Sequence, residues 1–596
     1  MCGIIGYIGS ENCVSIMLNS LKKLEYRGYD SMGLAISDGK NIRITKSVGK
    51  FEKLEESVRS ETEFFGNCAI GHTRWATHGK PGIKNAHPHE GSRFVIVHNG
   101  IIENYIELKK EYLADEVFES DTDTEVALRL FELFNKTSTD VGSALRMLFE
   151  SMNGSYAFCI MGKENPGVLY AVKNKSPLLI GKGEGFNMVG SDINAMLEKT
   201  NSFYELKNME YAVVTRDNVE IYSSTGNRKI RNTFVADKKQ GEDEKGKYPH
   251  YMLKEMEEQP SLIRRSKKAF LNEEGELQFD SLLISEMKKS DRVYIVACGT
   301  SYHCALLGKL WFEKIPGISA EAVMAGEFGS LSSTLVPNPF YVFISQSGET
   351  ADCISAMSAV KKKGYLTLSV TNSEVSSLSR ESDFSLDINA GTEIAVASTK
   401  AYTMQAVTMY LLANALADKR NPGVKRELDA FADAVKYVCE NKEVLKQLAE
   451  RELRNNSTVF YMGKGADYYV SLEAALKLKE ISYINTVGIA ASELKHGTLA
   501  LIDESSVVFT FVTQEEYAAN IRSNINEVAS RGARVCVLSS DKLCSRSDSF
   551  SFPDVGKYLS PLVGAVCSQY IAYYAALARG LDIDRPRNLA KSVTVE

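Results

Sequence analysis

Short apolar runs separated by glycine turns dominate residues 1 to about 236. Gly3-Ile4-Ile5-Gly6-Tyr7-Ile8-Gly9 and Phe94-Val95-Ile96-Val97 read as β-strands. Helical periods interleave with them, over Glu125 to Phe134 and Gly142 to Met152, so this part predicts sheets layered with helices. The run from Asp237 to Lys247 is charged, glycine-spaced and without apolar period, which predicts a linker over 237–249. Beyond it, strand and helix patterns alternate as in parallel α/β domains. One plan occurs twice there: an apolar strand, a glycine turn and a polar helix start, at Arg292 to Ser301 and again at Thr458 to Asp467. A duplicated doubly wound domain is expected, over 280–420 and 450–585. A charged helical connector, Lys419 to Arg454, lies between the copies, and a tail of 586–596 closes the chain. The most apolar stretch, Pro561 to Ala578, contains Ser568, Gln569 and several alanines, and predicts a buried helix in preference to a membrane span.

At 596 residues the chain is too long for one core, consistent with three or four domains. A net charge of −6 offers no basic excess for nucleic acid or an anionic membrane. The eleven cysteines are odd in number and include no CxxC pair, which argues against a disulfide framework or a zinc ribbon. No charged start leads into an apolar signal core, and a cytoplasmic protein is expected.

The residue with the most distinctive chemistry is Cys2. With Met1 removed it carries a thiol and a free α-amine on one carbon, a nucleophile beside its own base; the plain alternative is a buried cysteine at a strand start. Downstream stand Gly71-His72-Thr73-Arg74-Trp75-Ala76-Thr77-His78-Gly79 and His98-Asn99-Gly100. Five of the eight histidines lie between 72 and 98, but no acidic or cysteine partner stands at helical ligand spacing and HExxH is absent, so a metal site is disfavoured. Amide hydrolysis fits better. Asn99 and the Gly100 N–H can supply an oxyanion donor pair, Arg74 a cation for an α-carboxylate, and Asp123 an anion for an ammonium. The run Ser120 to Glu125 also fits simple helix capping.

These four segments, in this order, resemble the class II glutamine amidotransferase family, an N-terminal-nucleophile fold. The resemblance implies Cys2 as nucleophile, its own amine as base, Asn99 and Gly100 as oxyanion hole, and Arg74, Thr77, His78 and Asp123 as the grip on glutamine.

Such a domain makes ammonia for an acceptor. Phe340 to Ile344 reads as a buried strand running into Ser345-Gln346-Ser347-Gly348-Glu349-Thr350 and then a helix. Hydroxyls, an amide and backbone N–H groups therefore meet at a helix N-terminus, an anion site or merely a capped helix. Cys298-Gly299-Thr300-Ser301 is a second such turn, and neither contains the lysine of a nucleotide P-loop. Lys477 and Glu480 share a helix face, as catalytic groups or, with Glu473, as a surface ion-pair ladder. His496 lies in a polar run that also reads as an ordinary loop.

The ending Asp584-Arg585-Pro586-Arg587-Asn588-Leu589-Ala590-Lys591-Ser592-Val593-Thr594-Val595-Glu596, with the preceding motifs, resembles the isomerising glutamine–fructose-6-phosphate aminotransferase family over essentially the whole chain. That resemblance implies a glutaminase domain followed by two sugar-isomerase domains, with glutamine and fructose 6-phosphate as substrates. Ser301, Ser345, Gln346, Ser347 and Thr350 would hold the phosphate. Lys591 would form a Schiff base, Glu480 move a proton between C1 and C2, Lys477 stabilise an enolamine oxygen, and His496, from a neighbouring subunit of a homodimer, open the ring. Trp75 would gate an ammonia channel. No metal, flavin or nucleotide cofactor is implied. Glycines in Ala325-Gly326-Glu327-Phe328-Gly329 depart from the bacterial pattern. Three alternatives remain: a phosphoribosyl pyrophosphate amidotransferase, for which the paired-acid run is missing; a relative using another phosphosugar; and a non-catalytic phosphosugar sensor, which would need none of Cys2, Glu480, His496 and Lys591.

Overall fold

A computed structural model describes residues 2–60, 64–236, 245–331, 336–456 and 458–594. The chain forms two compact units, 1–240 with 592–596, and 241–591. Most of the predicted linker, 237–244, lies outside the described residues.

In the first unit, two antiparallel sheets of eight and seven strands face each other. Alternation along the strands explains the layering. From Phe94–Ile102 and Gly154–Gly162, Val95, Val97, Ala157, Cys159 and Met161 point into the intersheet core with Ile4, Ile8 and Ile70. The intervening Phe94, Ile96, Tyr156, Phe158 and Ile160 pack instead on the helices Asp123–Thr137 and Val141–Ser151. Helix Val14–Leu24 covers the other sheet, with Leu21 against Gly71. The layered sheets and helices read from the sequence are therefore present.

The second unit holds two five-stranded parallel sheets. In space, the first runs Ala320–Met324, Arg292–Ala297, Pro339–Ser345, Thr367–Thr371, Phe384–Asp387; the second runs Asn485–Ala490, Thr458–Gly463, Val507–Val512, Arg534–Ser540, Phe550–Phe552. Both follow the order 2-1-3-4-5, the duplication that the repeated plan predicts. In this topology the crevice for a ligand opens at the carboxyl ends of strands 1 and 3, where the chain's winding reverses.

One apolar core unites both sheets with helices Tyr251–Phe270, Lys400–Leu416, Val424–Glu440 and Ser560–Ala578. The last is long and apolar enough to cross a membrane by length and composition, but 89% of its apolar window is buried inside the protein. It is a core helix, as its serine, glutamine and alanines suggest. The glycine-rich stretch that departs from the family pattern forms a short 3-10 turn, Ala325–Glu327, running into a helical turn, Phe328–Leu331. Buried Phe328 packs edge-on against Tyr341 and anchors it.

Candidate active sites

Cys2 directly precedes the central strand Gly3–Gly9, which pairs with Cys68–Arg74 so that Gly3 opposes Thr73. Its Sγ accepts a hydrogen bond from the Trp75 N–H at 3.3 Å and also lies 3.4 Å from the Trp75 carbonyl oxygen. Burial pushes the thiol pKa up, while the Trp75 amide and the Arg74 charge pull it down. A thiol in this setting requires a base. Arg74 is buried and spends Nη2 on the carbonyls of His78 and Gly79, leaving Nη1 buried without a hydrogen-bond partner. A cation with one unsatisfied edge is suited to a carboxylate.

The expected oxyanion residues lie in the facing sheet, on Phe94–Ile102. Gly100 has φ +132°, and a Cβ there would stand 1.9 Å from the Ser155 carbonyl oxygen, so the position requires glycine. Asn99 Oδ1 lies 3.1 Å from His72 Nε2, which also meets the His98 carbonyl at 2.8 Å. Both neighbours accept, so Nε2 carries the proton and donates to each. Burial lowers the His72 pKa to about 3, keeping the ring neutral. The arrangement fixes Asn99 with Oδ1 on His72 and turns its buried, unpartnered Nδ2 away as an available donor.

His87, His89 and His98 pack around His72, and burial depresses their pKa values also. Their ring nitrogens meet Thr124 Oγ1 at 2.9 Å, from both His87 and His98, and Thr122 Oγ1 at 3.1 Å, from His89. These four histidines are thus a neutral hydrogen-bonded cluster, and no metal-binding group occurs among the described residues. At the start of helix Asp123–Thr137 the capping reading of the acidic run holds. Thr122 caps it by accepting from the Glu125 N–H, while buried Asp123 accepts from the Ile102 N–H at 2.9 Å and lies 4.0 Å from His78 Nδ1. Thr77 is exposed. Sequence reasoning missed Arg27, whose Nε donates to the Cys2 carbonyl at 3.2 Å and whose Nη1 pairs with Asp192 at 3.1 Å.

In the second unit, the turns at 298–301 and 345–350 lie at the carboxyl ends of Arg292–Ala297 and Pro339–Ser345, the first sheet's switch point. Thr350 occupies the N-cap of helix Ala351–Lys362 without a capping hydrogen bond; its hydroxyl lies 2.8 Å from Ser345 Oγ. Ser345 Oγ accepts from the Gly348 N–H at 3.0 Å, and Ser347 Oγ from the Glu349 N–H at 3.1 Å. Gly348 has φ +67°, and a Cβ there would strike Ser376 Oγ at 2.0 Å. Buried Ser301 bonds to Gln405. Hydroxyls ring the N-terminus of a helix, which suits an anion. In the second sheet the equivalent crevice is filled by the protein's own acid: Asp467 accepts from the Thr513 N–H at 2.9 Å and from its hydroxyl.

The Glu473, Lys477, Glu480 ladder exists, but buried rather than on the surface: Lys477 Nζ lies 2.6 Å from Glu480 and 3.6 Å from Glu473, and the Lys477 and Glu473 side chains are each 1% exposed. Glu473 also binds Thr300 Oγ1 and His303 Nδ1, at 3.1 and 2.7 Å. Burial raises the Glu480 pKa against the pull of Lys477, which suits a proton-transferring base. Burial disfavours the Lys477 charge, but Glu480, Glu473 and Glu393 outweigh it and hold Lys477 protonated.

Lys591 reaches the same cluster. Its Nζ pairs with Glu393 Oε2, both side chains buried, and its charge also acts on Glu480. Sequence reasoning missed Glu393, which sits in an irregular loop. It accepts from the Thr399 and Ala401 N–H groups at 2.9 and 3.0 Å and from Ser398 Oγ at 3.0 Å. It also missed Glu255, whose Oε1 binds the Ile394 and Ala395 amides of that loop; burial and Glu393 raise its pKa to about 8. The two acids are thereby pushed in opposite directions, Glu255 up and Glu393 down, the latter by Lys591 and the Thr399 and Ala401 amides. His496 ends the 3-10 segment Ala491–His496, is exposed, and makes no hydrogen bond or ion pair among the described residues.

The profile of the Glutamine amidotransferase domain matches residues 76–198, and that of the SIS domain matches 286–415 and again 452–579. The relatives named glutamine–fructose-6-phosphate aminotransferase (isomerizing) from Listeria innocua and Bacillus subtilis are 47% and 45% identical over 605 and 602 residues, covering 100% of this chain and of each relative. A solved structure titled as the C-terminal domain of glucosamine-fructose-6-phosphate aminotransferase from Francisella tularensis aligns with a TM-score of 0.54 and 33% identity, over 58% of this chain and all of that one.

Three predictions follow from these sites. Asn99→Ala should lower the rate of glutamine hydrolysis by about 10²–10³-fold, the worth of one oxyanion donor. His72→Phe should lower kcat by about tenfold or more with little change in KM for glutamine; an unchanged kcat would refute the orienting role. Asp467, buried, has its pKa raised from 3.8 to about 6 by desolvation. Its stability contribution is therefore present below pH 3.8 and lost as pH rises to about 6, by up to about 3 kcal/mol. Asp467→Asn should raise the melting temperature relative to wild type increasingly between pH 4 and 7; a constant difference would contradict this.

Proposed function

The chain belongs to the isomerising glutamine–fructose-6-phosphate aminotransferases, and we propose that the residues described above divide its reaction between the two units. The enzyme converts D-fructose 6-phosphate and L-glutamine to D-glucosamine 6-phosphate and L-glutamate. In the first unit, Cys2 attacks the glutamine amide, with its own amine as base once Met1 is removed. Asn99 Nδ2 and the Gly100 N–H receive the oxyanion, and Arg74, Thr77, His78 and Asp123 hold the amino acid. Ammonia leaves, and water cleaves the thioester to glutamate. Trp75, placed on the sulfur by its own backbone, is the residue to gate ammonia's exit.

In the second unit, Ser301, Ser345, Gln346, Ser347 and Thr350 hold the phosphate. Lys591 attacks C2 of the open-chain ketose, and loss of water gives an iminium. Glu393 is placed to take the proton that frees the lysine amine. Ammonia displaces Lys591, and Glu480 carries a proton from C1 to C2, with Lys477 stabilising the oxygen of the intermediate. His496 has no partner within the described chain, which supports its acting on the sugar ring of a second copy in a cytoplasmic homodimer.

The observation that carries this reading is the burial of Lys591 on Glu393 within reach of the Lys477–Glu480 pair. Given glutamine and fructose 6-phosphate, the purified protein should form glucosamine 6-phosphate and glutamate in equal amounts, and its intact mass should lack Met1. Cys2→Ala should abolish glutamate release while leaving fructose 6-phosphate binding unchanged; a normal glutaminase rate in that variant would exclude Cys2 as nucleophile. Glutamate without amino sugar from the wild type would indicate a different phosphosugar acceptor.

A further inference from the structure

Three helices of the second unit end together. Arg454 follows Lys442–Leu453, Tyr483 follows Ala466–Ser482 and Arg579 follows Ser560–Ala578. With Asn455, Ser482 and Arg587 they line a groove of about 620 Å³ that shares no residue with the phosphate turns or the Lys591 cluster. Converging helix C-termini collect partial negative charge, about half a unit each. Arg579 answers it, donating to the carbonyls of Leu453 and Ser482, each at 3.3 Å, and of Asn456.

The other two arginines are not explained in this way. Arg454 is exposed and makes no hydrogen bond or ion pair among the described residues. The Arg587 guanidinium lies 4.2 Å over the Tyr483 ring, while its backbone N–H donates to Tyr483 Oη at 2.7 Å. Tyr483 is held in the left-handed region, at φ +60°. No carboxylate lines the groove, and none of its three arginines forms an ion pair among the described residues. Three full positive charges therefore face about one and a half units of helix-end charge, leaving a local surplus in a protein whose net charge is −6.

We infer that this groove is a binding site for a small oligophosphate, a diphosphate or larger, clamped between Arg454 and Arg587. Guanidinium groups match phosphate oxygens in a bidentate fork. Two uncommitted forks, and a volume well above that of one phosphate, fit an anion with at least two phosphoryl groups. The site acts on the reaction through the chain: Arg587 lies four residues before Lys591, so an anion that pins Arg587 to the helix ends fixes the root of the tail carrying that lysine.

The probe is inorganic pyrophosphate, titrated calorimetrically into the full-length protein without divalent cations and with fructose 6-phosphate saturating, so that the phosphate turns are occupied. Saturable one-site binding is expected, weakened about tenfold in Arg454→Ala and again in Arg587→Ala. Bound pyrophosphate should also slow tryptic cleavage after Arg587. Orthophosphate should bind more weakly. No saturable binding, binding lost when fructose 6-phosphate is added, or wild-type affinity retained in either variant would overturn the site. Pyrophosphate binding without protection at Arg587 would overturn the clamp on the tail.

Discussion

A lysine five residues from the chain end is buried against a carboxylate, and the charged cluster of the second unit is built around that pair. An ammonium removed from water is strongly destabilised unless an anion meets it with good geometry. Glu393 does so only because its own charge is held by two backbone amides and a serine hydroxyl. Those amides belong to the approach to helix Lys400–Leu416, and the adjoining loop is held from the other side by Glu255. The fold thus places an otherwise irregular tail by electrostatics. The same field reaches Glu480 and Lys477, so Lys591, Glu480 and Lys477 share one coupled set of charges.

The duplicated sheets show how one topology serves two purposes. Both open a crevice between their first and third strands. In the first, hydroxyls and a helix N-terminus leave room for an anion; in the second, Asp467 supplies the anion internally and ties the crevice shut through Thr513. The second copy instead contributes the helix Ala466–Ser482, whose buried face carries Glu473, Lys477 and Glu480. Burial separates this ladder from the weak surface pairs it resembles in sequence.

Fold class and repeat were legible because strand and helix periods are local properties. The Cys2, Arg74, Asn99 and Lys591 segments were legible as motifs. Glu393 and Glu255 were not, because each acts across more than a hundred residues and neither lies in a pattern with its own chemistry. The histidines between 72 and 98 were visible as a cluster, but their pattern could not show that burial keeps His72, His87, His89 and His98 neutral. Nor could it show that His72 decides which atom of Asn99 remains free. Thr350 stands where a capping residue stands, and only the structure shows its hydroxyl turned to Ser345.

The central claim is that the buried lysine of the tail is the amine that meets the sugar. Borohydride reduction of the protein in the presence of fructose 6-phosphate, followed by peptide mass mapping, tests it most directly. The account predicts one reduced hexose phosphate adduct, on Lys591, with the label lost in Lys591→Ala. An adduct on Lys477 or Lys400, or trapping that persists without Lys591, would contradict it.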